Sequence, residues 1–313
     1  MEDRVIAGMQ STVSRRDFIQ TTAVVAAATA GGLAPGAAEG TDLLGAPGAA
    51  GRGTLIDTNV TLSRWPCRRL PLDETSALVA RLRSQGVEQA WAGSFDGLLH
   101  KDIASVNARL AEECRKNGRG LLMPFGSVNP VLPNWEEELC RCHEEHKMPG
   151  IRLHPNYHGY KLDEPAFARL LDIARECGLI VQLVVTMEAE RTQHPLMRAP
   201  HVDVMPLLAL LASRSNMKIV LLNWSREVSS ALLAKLSAVG PMHFDIATLE
   251  GVGGVANLLK QVPVDRVGFG SHAPFFYFES ALLKLKESAL SEPQAMSIRA
   301  GNARRLLGLP ARG

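Results

Sequence analysis

From Thr54 onward, short apolar runs rich in β-branched residues alternate with longer segments whose apolar residues recur every three or four positions. Few architectures satisfy that alternation, because a strand, a helix and a further strand make a βα repeat whose strands lie parallel under a cover of helices. Eight runs can be placed: Thr54–Asn59, Val87–Gly93, Gly120–Gly126, Gly150–His154, Leu179–Val185, Lys218–Asn223, Met242–Ile246 and Arg266–Gly270. Helical period fills Asp73–Gln85, Ile103–Asn117, Asn134–His146, Glu164–Cys177, Val202–Arg214, Glu227–Val239 and Val252–Gln261. Asp73 and Asn134 stand at cap positions, and Cys177-Gly178 and Val239-Gly240 supply stops. Eight strands in about 220 residues predict an α/β fold of the (β/α)8 TIM-barrel type over residues 54–313. A doubly wound open sheet would need a glycine-rich phosphate loop after an early strand, and Asp57-Thr58-Asn59-Val60-Thr61 is not one.

The residues before the barrel have a different character. Ser14-Arg15-Arg16-Asp17-Phe18 reads as a twin-arginine export signature, followed by a weakly apolar stretch to Ala34 and small residues at Gly36-Ala37-Ala38 suited to cleavage. We therefore expect a signal peptide over 1–38, a Gly/Ala/Pro-rich flexible linker over 39–53, and a mature protein delivered folded to the periplasm or exterior. No later run approaches the ~18 apolar residues of a spanning helix, so no membrane span is expected in the mature chain. A net charge of +2, with 9 Phe, 4 Trp and 3 Tyr and no basic stripe, argues against nucleic acid as a partner. The 5 cysteines are an odd number, and Cys140-x-Cys142 is not a usual zinc spacing, so structural thiols are the expectation.

A barrel gathers its chemistry at the C-terminal ends of its strands. There the chain carries Asp57, Asn59 and Thr61, then Ser127 and Asn129, Arg152, His154 and His158, the loop Met187–Pro200, Asn223, Asp245, and Ser271-His272. His154 and His272 stand directly at strand ends, aimed at one shared mouth. His272 is the leading candidate for general base or acid, with His154 and Asp57 as further catalytic candidates. Asn59 and Asn223 would donate to a developing oxyanion. Arg152 is the natural fork for a substrate carboxylate and Arg191 a second one, while His158 and His194 complete the substrate-binding set. The charge-rich loop Met187–Pro200 suits a lid, and Arg64, Arg68 and Arg69 around Trp65 a candidate anion site.

These residues resemble the amidohydrolase-related family of metal-dependent hydrolases and decarboxylases. The resemblance runs over Leu55–Leu309 and rests on four stretches: Leu55-Ile56-Asp57, Gly150-Ile151-Arg152-Leu153-His154-Pro155, Asp265-Arg266-Val267-Gly268-Phe269-Gly270-Ser271, and Gly301-Asn302-Ala303-Arg304-Arg305-Leu306-Leu307-Gly308-Leu309. It implies a divalent metal, usually zinc. The ligands would be two histidines on the first strand, histidines ending strands five and six, and an aspartate ending strand eight. Such a metal activates water and polarises the scissile group. At those positions this chain has Asn59, Thr61, Val184, Asn223 and His272. Valine cannot ligate, and Asn and Thr are weak neutral oxygen donors. No metal or other cofactor is therefore expected at the standard site, although a zinc site shifted onto His154, His272, His158 or His194 remains open.

The activity expected is hydrolysis of a small carboxylate-bearing ester, lactone or similar C–O or C–N bond, at a non-standard or metal-free site. One alternative is an inactive barrel that binds a small carboxylate. The other is a metal-dependent decarboxylase or amidohydrolase with a shifted metal. The partner is a small-molecule substrate, and the resemblance implies a homodimer.

Overall fold

The computed structural model describes residues 54–310, so the segments read as a signal peptide (1–38) and a linker (39–53) lie outside the described residues. Nine strands run in chain order: β1 Leu55–Leu62, β2 Val87–Ser94, β3 Leu122–Pro124, β4 Gly126–Ser127, β5 Gly150–Leu153, β6 Ile180–Val184, β7 Lys218–Leu222, β8 Met242–Asp245 and β9 Val267–Gly268. Every ladder is parallel, with β1-β2-β3 in one sheet and β4 to β9 in the other. β3 and β4 are two halves of one barrel strand interrupted at Phe125, whose N–H still donates to the Ala92 carbonyl at 2.8 Å. The far seam closes through a parallel bridge between Val60 and Ala273, with Thr58 N–H on Phe269 O and Thr61 N–H on Ala273 O, both at 2.9 Å. The result is the (β/α)8 barrel expected, and the strand limits fall within three residues of those read from the runs.

Packing follows the strand alternation. On β6, Val181 and Leu183 face the helices while Ile180 and Val184 join Ile56, Trp91, Phe125, Val220 and Leu222 in a second cluster. Gln182 shares the parity of Ile180 and Val184 and therefore points into the barrel. The helix Pro165–Glu176 shows the outer layer: its 3.6-residue period buries Phe167, Leu170, Leu171, Ile173 and Ala174. Each fully buried Leu or Phe contributes about 1.5–3 kcal/mol. The closing segment is held by Asn302, whose Nδ2 donates to Val264 O at 2.7 Å and Val267 O at 2.6 Å, at the entry to β9. Among the described residues no helix is long and apolar enough to cross a membrane.

Two local expectations change. Asp73 caps no helix: the helix Thr75–Ser84 has Glu74 at its cap position, and both carboxylate oxygens of Asp73 accept from Arg69. Asn134 precedes the helix Trp135–Glu144 in a left-handed conformation, φ 59°, with no side-chain cap bond. An ion pair outcompetes the cap in the first case, and backbone geometry turns the side chain away in the second.

Candidate active site

The mouth of the barrel divides into a half whose polar groups satisfy one another and a half whose polar groups do not. The first half spans β1, β7, β8 and the loop after β9. Asp57 Oδ1 accepts from the Asn59 and Ser271 N–H groups, each at 3.0 Å, and its Oδ2 accepts from Ser271 Oγ at 2.5 Å. Asn59 Nδ2 donates to Asn223 Oδ1 at 2.9 Å and Asp245 Oδ2 at 2.7 Å, while Asn223 N–H donates to Asp245 Oδ1 at 3.0 Å. His272 Nε2 lies 2.9 Å from Met187 O and so carries the proton; its Nδ1, 3.3 Å from Asn223 Nδ2, accepts. Asn223 and His272 both take left-handed backbone angles, φ 55° and 59°, a conformation that costs a non-glycine residue about 1 kcal/mol or more.

Burial governs the ionisation here. It pushes Asp57 up to about 6, against the pull of its Ser271 and Asn59 hydrogen bonds and the Arg152 charge. It pushes Asp245 up to about 7, against its bonds from Asn59 and Asn223, with the Asp57 charge adding to the rise. The His272 imidazole is driven down to about 4, again by burial first. His272, expected as the general base, is thus neutral with both nitrogens engaged.

Arg152 differs most from its expected role. Nε donates to Gln182 Oε1 at 2.8 Å, Nη1 to Val60 O at 2.7 Å and Thr61 Oγ1 at 3.2 Å, and Nη2 to Trp91 O at 3.0 Å and Thr58 O at 3.4 Å. These five contacts match the five N–H donors of a guanidinium. Expected as the fork for a substrate carboxylate, it is instead an internal strut at 1% exposure. A Cβ on Gly93 would sit 2.8 Å from its Cδ and Nη1, so the strut also requires glycine there.

The second half lies at the tips of β4 and β5. Among the described residues, the buried polar atoms without a hydrogen-bond partner include Ser127 Oγ, His154 Nδ1, Asn156 Oδ1, His158 Nδ1 and the Tyr160 hydroxyl here, and Trp65 Nε1 on the loop after β1. His154 ends β5, and His158 closes the single turn Pro155–His158, placing its ring centroid 6.2 Å from that of His154. His158 Nε2 is 2.7 Å from Gly97 O, so Nε2 carries the proton and Nδ1 keeps the lone pair. Burial lowers both imidazoles from their usual value, that of His154 well below it, helped by the charges of His158, Arg152 and His272. Ser127 is held rigidly, its N–H on Asn107 Oδ1 at 2.7 Å and its carbonyl on Asn107 Nδ2 at 2.9 Å. Its Oγ lies so close to Gly97 that a Cβ there would stand 2.0 Å away. Trp65, 2% exposed, packs edge-on against Phe95, Tyr157 and Phe275, with centroids 5.4, 6.3 and 4.9 Å away, making an aromatic cover.

Arg191 and His194, expected in the substrate-binding set, lie exposed on the loop Met187–Pro200. The candidate anion site is not kept: Arg64 pairs with Glu74, Arg69 with Asp73, and Arg68 with Glu188 at 2.9 Å while its guanidinium lies 5.2 Å over the Phe275 ring. Gln182 was missing from the sequence-derived site set, while Asp245 and Ser127 were placed at strand ends, and Trp65 in the basic loop, without a role in the site. A single polar residue inside the apolar run Ile180-Val181-Gln182-Leu183-Val184 was the available signal for Gln182. Among the described residues, no three His, Cys, Asp or Glu side chains are arranged to hold a metal ion.

No curated protein matches the chain in sequence. A 2,6-dihydroxybenzoate decarboxylase from Rhizobium shares 15% identity, covering 82% of this chain and 98% of its own, at a TM-score of 0.61. A dihydroxybenzoic acid decarboxylase from a Polaromonas species, solved with manganese and 2-nitroresorcinol, shares 13% identity over 82% and 97% at a TM-score of 0.64. A probable 2-pyrone-4,6-dicarboxylic acid hydrolase from Acinetobacter baumannii, with citric acid bound, shares 14% identity over 82% and 99% at 0.58. At these identities the likeness is one of fold. Residues 12–32 match the model of a twin-arginine translocation pathway signal sequence, and residues 67–222 the family model described as Amidohydrolase. The chain belongs to the amidohydrolase-related family of TIM barrels and carries a twin-arginine export signal.

Proposed function

We propose that the mature chain is a hydrolase of this family that works without the family's metal and opens a small activated ester or lactone. The observation that carries this reading is the pair of buried imidazole nitrogens without a partner, His154 Nδ1 and His158 Nδ1, on rings 6.2 Å apart at the tip of β5. The residues set against the family's metal ligands do not fit a divalent cation. Val184 has no donor atom, and the Asn59 amide turns its N–H groups towards Asn223 and Asp245. No step is therefore routed through a metal.

His158 has the features of a general base: a tautomer held by the Gly97 carbonyl, a free lone pair on Nδ1, and a lowered pKa that keeps it neutral near pH 7. In the step we propose, Nδ1 takes a proton from a water whose oxygen attacks the acyl carbon. The same proton then passes to the departing alkoxide. Trp65 Nε1–H and the Ser127 hydroxyl supply donors for the oxygen that gains charge. His154, too weakly basic to compete, completes the wall as a neutral hydrogen-bonding partner. Since Arg152 is spent inside the barrel, the group held here is a neutral carbonyl rather than a carboxylate.

A panel of esters and lactones, assayed with chelator-treated protein, tests the reading. Turnover should survive chelation, and His158→Gln should lower kcat by about 10²–10⁴-fold with the circular dichroism unchanged. Activity that is lost on chelation and restored by manganese or zinc would overturn it. The closed network around Asp57, Asn59, Asn223 and Asp245 favours a second reading, a binding barrel without turnover. That reading predicts ligands that raise the melting temperature and are never consumed.

A further inference from the structure

We propose that Cys140 and Cys177 become a disulfide once the protein is exported, tying the helix Trp135–Glu144 to the C-terminal end of the helix Pro165–Glu176. All five cysteines are thiols in the structure, but they are not equivalent. Cys142 is fully buried, with Asn107 Nδ2 3.3 Å from its sulfur, and Cys114 is 4% exposed beneath the core. Cys67 packs with the aromatic cluster at the mouth. Cys140 and Cys177 alone are side-chain partners, thiol to thiol, and both are partly exposed where they pack against the outer core.

The framework around the pair is already set. Arg169 on the second helix reaches Glu136 on the first, with contacts of 3.2 and 3.3 Å. Cys177 caps its helix directly before Gly178, whose φ of +68° turns the chain away. A cavity of about 310 Å³ lined by His143, Lys147, Met148 and Pro149 opens beside Cys177, giving an oxidant a side-on approach.

Twin-arginine export makes this arrangement matter. A protein that folds before it crosses reaches an oxidising compartment with its thiols already placed, so only a pair that is adjacent and reachable in the folded state can be oxidised. The oxidant is a disulfide, either a small molecule or a thiol–disulfide oxidoreductase. One cysteine thiolate attacks a sulfur of that disulfide, forming a mixed disulfide and expelling one thiolate. The second cysteine thiolate then attacks the protein sulfur of the mixed disulfide and expels the other. Two protein thiols lose two protons and two electrons, and the oxidant gains both as two thiols.

The test uses the mature protein treated with oxidised glutathione, alkylated under denaturing conditions without reductant, digested and mass-mapped. The expected result is a linked peptide pair containing Cys140 and Cys177 that separates on reduction, with Cys67, Cys114 and Cys142 alkylated. Oxidised wild type should also melt several degrees above its reduced form, and Cys140→Ser should show no such difference. Alkylation of both Cys140 and Cys177 after oxidation, or a bridge from either to Cys67, would overturn the proposal. Because the wild-type map alone decides, a serine variant that failed to fold would not affect the outcome.

Discussion

Arg152 shows how one buried side chain can organise a whole mouth. Its guanidinium ties β1, β2, β5 and β6 together through carbonyls that would otherwise face the barrel interior unpaired. A lysine there keeps a charge but has three donors at a single point, so Arg152→Lys should lower unfolding stability by about 3 kcal/mol, read from urea denaturation. An unchanged midpoint would show that the strut carries little. Gly97 is a second such position. Its carbonyl orients His158, and an added methyl would overlap Ser127 Oγ, so Gly97→Ala should cost about 1–3 kcal/mol and reduce turnover together. At this scale the sequence showed which residue types reach the mouth, including His154 and His158. It could not show which of their donors are already spent, because that depends on partners 30 to 186 residues away along the chain.

At the scale of elements, the loop Met187–Pro200 is polar in composition yet strapped down. Gln193 Nε2 donates to Glu188 O at 3.2 Å and Ala199 O at 2.9 Å, its Oε1 accepts from Ala199 N–H at 3.0 Å, and the Glu188 carboxylate takes Arg68. The same loop supplies the Met187 carbonyl that holds His272. Gln193→Ala should therefore speed hydrogen exchange of the loop amides by tenfold or more, since each lost hydrogen bond to a buried partner costs about 1–3 kcal/mol. Exchange at the wild-type rate would show that the strap is not what orders the loop. Its charge-rich sequence and its place after a strand suited a lid, because burial of Glu188 and Gln193 leaves no mark on composition. The break of the third barrel strand at Phe125 was equally hidden, since Leu122-Met123-Pro124-Phe125-Gly126 is one continuous apolar run.

For the whole molecule, buried titratable groups set a pH dependence with opposing parts. Folded His243 and His272 hold a proton only below about 4, whereas unfolded imidazoles hold it below about 6.5, so between those values the unfolded chain binds more protons. Their contribution is present above 6.5 and lost as pH falls towards 4. Asp57 and Asp245 act oppositely: their folded values of about 6 and about 7 lie above the unfolded carboxylate value, so their contribution is greatest at low pH and lost as pH rises. His243 lies outside the mouth, with Nδ1 3.2 Å from Pro241 O, and isolates one part. His243→Gln should flatten the fall in stability between pH 6.5 and 4 by about 1–3 kcal/mol in urea unfolding curves. An identical slope in wild type and variant would remove His243 as a contributor. Export belongs to this scale too: replacing both Arg15 and Arg16 by lysine should hold the precursor inside the cell, as fractionation would show.

What the sequence determined by itself was the part written in local periodicity: eight strand positions, the helices between them, the parallel barrel they require, and the export signal ahead of it. Those features depend on neighbours a few residues apart, and apolar spacing reports them directly. The tertiary structure decided which polar side chains face one another across the closed mouth. Arg152 and His272 became internal partners, and the free hydrogen-bonding capacity passed to Trp65, Ser127, His154 and His158. Barrel closure brings β1 against β9 and the loops over both, and in a buried site a polar atom is either satisfied by such distant partners or left for a ligand.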